Sequence, residues 1–172
     1  HHERGAGVRP GAGLGAAGAD DRAGAGAGGA DGRIVFRFTK TDSAINSISI
    51  TSNAGVDNFY KISDPISVTL VASEAVSVTG SPRIPVVGLS GKYFTYFSGS
   101  GTSSIVFRYT VVTSDTASAG VGINANTLEL NSGTLVDSAG LSLPLSHLAI
   151  AQSTSHRVDG ILPTLSGMTQ SY

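Results

Sequence analysis

The chain has 172 residues, room for one ordinary domain with flanking segments. Its 11 basic and 12 acidic residues leave a formal charge of −1, so it lacks the basic surplus with which nucleic-acid binders neutralise phosphates. Cysteine is absent, which excludes disulfides, thiolate metal sites and thiol catalysis. No apolar run is long enough to span a bilayer, so no membrane insertion is expected.

Residues 1–32 are dominated by Gly and Ala, with Val8 and Leu14 as almost the only large apolar side chains. Such a segment buries too little surface to offset an ordering entropy of about 1–2 kcal/mol per residue, and it reads as a low-complexity tail or linker. His1 and His2 read as the remnant of a purification tag. Two glycine spacings, Gly13-x-Gly15-x-x-Gly18 and Gly24-x-Gly26-x-x-Gly29, match the dinucleotide fingerprint, but neither has the preceding strand and following amphipathic helix that the phosphate cradle needs. Gly28-Gly-Ala-Asp-Gly32 has the composition of a calcium-binding repeat, which works only in stacked arrays, so a single copy reads as a turn.

From Arg33 the texture becomes that of β-strands. Arg33-Ile-Val-Phe-Arg-Phe38 reads as an added strand. Period-two alternation then marks Ser47 to Thr51, Ile66 to Val78, Lys92 to Phe97 and Ile105 to Val111, followed by the pairs Val121/Ile123 and Leu128/Leu130 and the run Leu143, Leu145, Leu148, Ile150. Turn signals separate them at Asn53-Ala-Gly55, Gly80-Ser-Pro82, Ser98-Gly-Ser-Gly101, Asn131-Ser-Gly133 and Ala139-Gly140. No long segment carries a helical period. Many short strands with frequent turns predict an all-β sandwich or barrel spanning 33–159, with 160–172 left over as the start of a next repeat or a C-terminal tail.

The chemistry-bearing residues are dispersed. His147 and His156 sit in no metal spacing, Ser155 beside His156 makes no triad, and no Gly-x-Ser-x-Gly elbow occurs. A hydrolase therefore has only scattered Ser, His and Asp in its favour, and the chain is not expected to be an enzyme. Asp57, Asp64, Glu74, Asp115, Asp137 and Asp159 fall near predicted turns, where carboxylates usually cap the backbone. Among them Glu74, Asp115 and Asp159 are the weak calcium candidates; no cofactor is otherwise implied. Tyr93, Phe94, Tyr96 and Phe97 offer rings for a carbohydrate platform, but alternation sends neighbours to opposite faces, so at most one pair is available. Leu162-Pro-Thr-Leu-Ser-Gly167 has the wrong order for a sortase signal.

Three ordered blocks carry a family likeness. Tyr60-Lys-Ile-Ser-Asp64 leads through Ile66-Ser-Val68 to Ser73-Glu-Ala-Val-Ser-Val-Thr-Gly80 and Pro82; Tyr96-Phe-Ser-Gly-Ser-Gly-Thr102 leads to Ile105-Val-Phe-Arg-Tyr-Thr-Val111; Leu128-Glu-Leu-Asn-Ser-Gly-Thr-Leu-Val-Asp-Ser-Ala-Gly140 closes the set. Together they resemble the immunoglobulin-like repeats found in tandem in large bacterial surface adhesins, over roughly 43–159. The resemblance implies a disulfide-free immunoglobulin-like Greek-key β-sandwich, located extracellularly or at the bacterial cell surface. It implies a spacer that extends a distal binding module, with neighbouring repeats of the same polypeptide as partners. The alternative is a binding module for a cell-surface glycan or protein. Val158-Asp-Gly-Ile-Leu-Pro-Thr164 resembles the junction at which one repeat ends and the next begins. The chain departs from the family at Ala72, where an aromatic is usual, in the carboxylate-poor loop 113–120, and at Leu141, where a polar residue is usual.

Overall fold

The computed structural model describes residues 43–163 and, nearer the N-terminus, two three-residue strands, β1 (Ala25–Ala27) and β2 (Ile34–Phe36). The chain divides into two units, His1–Thr41 and Asp42–Tyr172. In the first, β1 and β2 pair antiparallel, so the compositional boundary at residue 32 falls between two paired strands. The spacing Gly13-x-Gly15-x-x-Gly18, the turn proposed at Gly28 to Gly32, and the segment from Thr164 onward lie outside the described residues, as does most of the second glycine spacing.

The second unit is all-β, with no α-helix among its described residues. Its first strand, β3 (Ile45–Ile50), is followed by the short β4 (Phe59–Lys61) and then by β5 (Pro65–Thr79), the longest strand. β6 (Arg83–Pro85), β7 (Tyr93–Ser98) and β8 (Thr102–Thr110) complete one sheet in the order β3-β5-β8-β7-β6, every pair antiparallel. A second sheet sets β4 parallel to β11 (Arg157–Asp159), which is antiparallel to β9 (Thr116–Ala117). The strand β10 (Thr134–Asp137) joins the far half of β5.

Alternation decides which residues face inward. On β5, Ile66, Val68, Leu70, Ala72 and Val76 are buried while their neighbours are not. Ile105, Phe107 and Val111 do the same from the β8 side, and Phe94 and Ile84 from β7 and β6. Tyr60, Ala117, Val121, Ile123 and Val158 close the core from the opposite side. No disulfide assists, so apolar burial at roughly 25 cal/mol per Å² is the principal favourable term.

β5 is bent once. Its pairing with β8 runs from Pro65 to Val71 and resumes only at Val76, leaving Ala72, Ser73, Glu74 and Ala75 outside that ladder. At this corner β5 also changes partner on its other edge, from β3, whose Ile45 lies opposite Ala72, to β10, whose Asp137 lies opposite Val76. Such a bulge re-aims a strand so that one chain can serve two differently inclined neighbours.

The run Leu143, Leu145, Leu148, Ile150 is not the strand its spacing predicts. Only isolated bridges form, Ile123 to Ile150 at its end and Val136 to Ser142 just before its start. Pro144 removes a ladder donor in mid-run, and the side chains follow no single face: Leu143 is buried, whereas Leu148 is 82% exposed.

Phe107 and Arg108 test the register directly. Phe107 is fully buried, and Arg108 on the opposite face lies over the Phe97 ring. Phe107→Ala should cost about 3–5 kcal/mol in urea unfolding. Arg108→Ala should cost about 0.5–1 kcal/mol, the scale of an exposed cation–π contact. Equal losses would contradict the register.

Candidate functional site

Two polar assemblies and one open face hold the side chains of chemical interest. The first assembly joins the two sheets. The Tyr60 hydroxyl lies 2.9 Å from the Ser52 carbonyl oxygen, 2.8 Å from Ser52 Oγ and 3.2 Å from His156 Nδ1. The carbonyl can only accept, so the single phenolic hydrogen goes there. Ser52 Oγ and a protonated Nδ1 then donate to the phenolic oxygen, and Ser52 Oγ accepts from Ser67 N at 2.9 Å. Burial raises the Tyr60 pKa and lowers that of His156. The His156 ring also lies nearly parallel to Tyr60, at 13° between planes. These contacts occupy His156 as a tie between β4, β5 and the last strand. Ser155 donates its amide to Ser153 Oγ in the turn before that strand.

The second assembly centres on Asp115, which is only 5% exposed. Its carboxylate accepts from the Tyr109 hydroxyl and from Val112 N (2.9 Å), and Lys92 Nζ lies 3.6 Å from its other oxygen. Burial, reinforced by the hydrogen bond to Asp115, pushes the Tyr109 hydroxyl well above the usual phenol range. The backbone of Asp115 also holds the departing chain: Gly160 N donates to Asp115 O at 2.7 Å, and Ser114 N donates to Gly160 O at 2.9 Å. Gly160 is needed for this close approach, because an added Cβ would collide with the carbonyls of Val112 and Asp115.

The three calcium candidates do not meet. Asp159 lies beside Lys61 and Thr116 and accepts from Ile161 N at 3.1 Å. Asp115 is on the same side of the domain, committed as described. Glu74 sits at the β5 corner, nine residues from Pro65 and so about 30 Å away along the strand. Among the described residues no three His, Asp or Glu side chains converge on one point. Turn carboxylates instead receive nearby backbone amides: Asp57 from Phe59, Asp64 from Lys61, Asp115 from Val112, Asp137 from Ala139 and Leu141, and Asp159 from Ile161. Asp57 also pairs with Lys61 at 2.8 Å, and that bond holds its carboxyl below the ordinary value.

His147 is likewise engaged. Its Nε2 accepts from Thr127 N (3.0 Å) and Leu128 N (3.2 Å), and Nδ1 faces the Leu148 carbonyl at 2.8 Å. Those partners require the neutral tautomer with the hydrogen on Nδ1. The ring forms part of the wall of a cleft of about 490 Å³ between β3 and residues 146–149.

The open face is the outer surface of β6, β7 and β8. Alternation on β7 turns Phe94 into the core and packs Tyr96 edge-on against Phe107, which leaves Tyr93, Thr95 and Phe97 outside. Arg83 lies over Tyr93 with its guanidinium carbon 4.0 Å from the ring centre, and Arg108 lies over Phe97 at 3.5 Å. Arg83 Nε is bound to Glu129 at 2.7 Å. Arg108 has no carboxylate partner among the described residues. Sequence alternation limited the available rings to one pair, but identified neither which pair faces outward nor the arginines brought over it from two other strands.

Comparison with family models, with curated proteins and with solved structures gave no match to this chain.

The two assemblies make stability depend on pH at both extremes. Because the folded-state pKa of His156 is depressed, its contribution is complete above about pH 6.5 and is lost as pH falls through that value toward the folded one. Because the Tyr109 pKa is raised, its contribution is complete below about pH 10 and is lost as pH rises. Urea midpoints between pH 5 and 11 should fall at both ends. His156→Gln should flatten the acid limb. Tyr109→Phe should shallow the alkaline limb and lower neutral-pH stability by about 1.5–3 kcal/mol. Limbs unchanged in these variants would contradict the assignment.

Proposed function

We propose that the domain is a structural spacer repeat of a bacterial cell-surface or secreted adhesin, non-enzymatic and immunoglobulin-like, extending a distal binding module away from the cell. One observation carries this reading: the chain enters and leaves the domain at opposite ends. At entry, Ala44 is bound to Ser73, whose amide donates to Ala44 O at 2.8 Å. At exit, Gly160 is bound to Asp115, next to the loop whose Val111 N donates to Asp64 O. Ser73 and Pro65 are eight residues apart on one strand, so the two poles are separated by about 26 Å. A domain traversed from pole to pole adds nearly its full length to a tandem array.

Strand order supports the immunoglobulin-like part of the proposal. The succession β3-β5-β8-β7 parallels the A-B-E-D sheet of such domains, and β11 beside β9 parallels the edge of the opposing sheet. The engagement of both histidines in the backbone and hydroxyl networks supports a scaffold over a catalyst.

Small-angle scattering on two and three tandem copies of residues 42–163 tests the proposal. The maximum dimension should grow by nearly one domain length with each copy; a compact particle of constant dimension would contradict it. Within one copy Glu74 and Asp159 lie at opposite poles, so only successive copies bring them near one another. Calcium should leave the dimension unchanged. A calcium-dependent extension abolished by Asp159→Asn would place an ion at the junction.

A further inference from the structure

The outer face of β6, β7 and β8 has a feature that spacing alone does not require. Tyr93, Thr95, Phe97 and Arg108 line a shallow cleft of about 540 Å³, with Lys92 at one end. Tyr93 and Phe97 are four residues apart on one strand, about 13 Å, which is the span of a short oligomer and not of a single ring. Phe97 remains 52% exposed although Arg108 covers one of its faces. Among the described residues the cleft lining contains no Asp or Glu. The two arginines over the rings differ in a decisive respect: Glu129 neutralises Arg83, whereas no carboxylate of the described residues reaches Arg108. Lys92 is ion-paired to Asp115, so among the described residues Arg108 is the cleft's uncompensated cation.

We infer that this face binds an acidic oligosaccharide, a short chain of pyranose rings bearing ring carboxylates. The sugar C–H faces would lie against Tyr93 and Phe97, and a carboxylate would take the forked nitrogens of Arg108. Stacking on Phe97 holds the guanidinium plane fixed, so little further side-chain order is lost when a planar anion docks on it. Thr95, level with Arg108 across the β7–β8 ladder, donates its hydroxyl to Arg108 O at 3.3 Å and leaves its lone pairs between the rings to accept from a sugar hydroxyl. The choice of an acidic saccharide rests on this charge complementarity together with the paired apolar ring faces. A neutral sugar would leave Arg108 without a counter-charge, and an acidic peptide would leave the rings without flat C–H faces. The inference is independent of the spacer reading, since a spacer carries no such requirement on its outer sheet.

Isothermal titration of the full chain with tetragalacturonate tests it, with galactotetraose and hexaglutamate as comparators. Saturable binding of tetragalacturonate is expected, at least tenfold tighter than either comparator and weakened by added salt. Arg108→Gln and Phe97→Ala should each weaken it at least tenfold. Thr95→Glu places a carboxylate beside Arg108 at an exposed strand position, where the fold tolerates it, and should abolish binding without lowering the thermal midpoint appreciably. No saturable binding by the unmodified chain would overturn the inference. So would equal binding of either comparator, or binding undiminished in Arg108→Gln and Thr95→Glu.

Discussion

The fifteen-residue strand β5 is the constraint on which the rest of the domain depends. Its first half lies between β3 and β8, and its second half receives β10 after the corner at Ser73 to Ala75. Nearly every inward residue of the larger sheet is placed by these ladders, because a one-residue slip would turn Ile66, Val68 and Leu70 out to solvent and destroy the core. The same strand fixes the distance between the two ends of the domain. The entering chain is bound at Ser73, and the departing chain is held beside the turn that precedes Pro65. Length along β5 therefore becomes length between poles, the property on which extension would rely.

Polar groups secure what the strand positions. The Ser52–Tyr60–His156 network ties the last strand to the first part of β5, and Asp115 gathers Tyr109, Val112, Lys92 and the backbone of Gly160 around the exit. A buried carboxylate is costly unless donors or an opposite charge offset its desolvation; here Oδ2 accepts two hydrogen bonds and Oδ1 faces the Lys92 ammonium. The contacts of His147, His156 and Asp115 are of this kind, made to backbone groups, hydroxyls or an ammonium group. Arg108 is the contrast: it is ordered by an aromatic ring and remains without a counter-charge among the described residues.

Much of the fold was legible in the sequence where alternation was long. β3, β5, β7 and β8 coincide closely with the runs from Ser47, Ile66, Lys92 and Ile105, and Phe107 faces inward as its period requires. β4 and β11 were not legible. Each is three residues long, too short for a period to emerge, and their parallel pairing joins segments almost a hundred residues apart. The Leu143 to Ile150 run misled because Pro144 cannot donate to a ladder. At the candidate sites, chemistry local in sequence was readable: carboxylates near turns do cap nearby amides. The cross-strand meetings of Arg108 with Phe97 and of Tyr60 with His156 depend on register and tertiary contact, which no local pattern encodes.

The separation of the two poles is the central claim, and the absence of cysteine permits a direct measurement. Spin labels attached to Ala44→Cys and Ile161→Cys report the distance between entry and exit by pulsed dipolar spectroscopy. Both positions are exposed, so labelling leaves the core intact. The strand geometry predicts a single narrow distribution on the order of 25–35 Å, set by the rise along β5 with allowance for the label arms. A distribution centred below about 15 Å, less than five residues of strand rise, would place entry and exit at one pole and contradict the account.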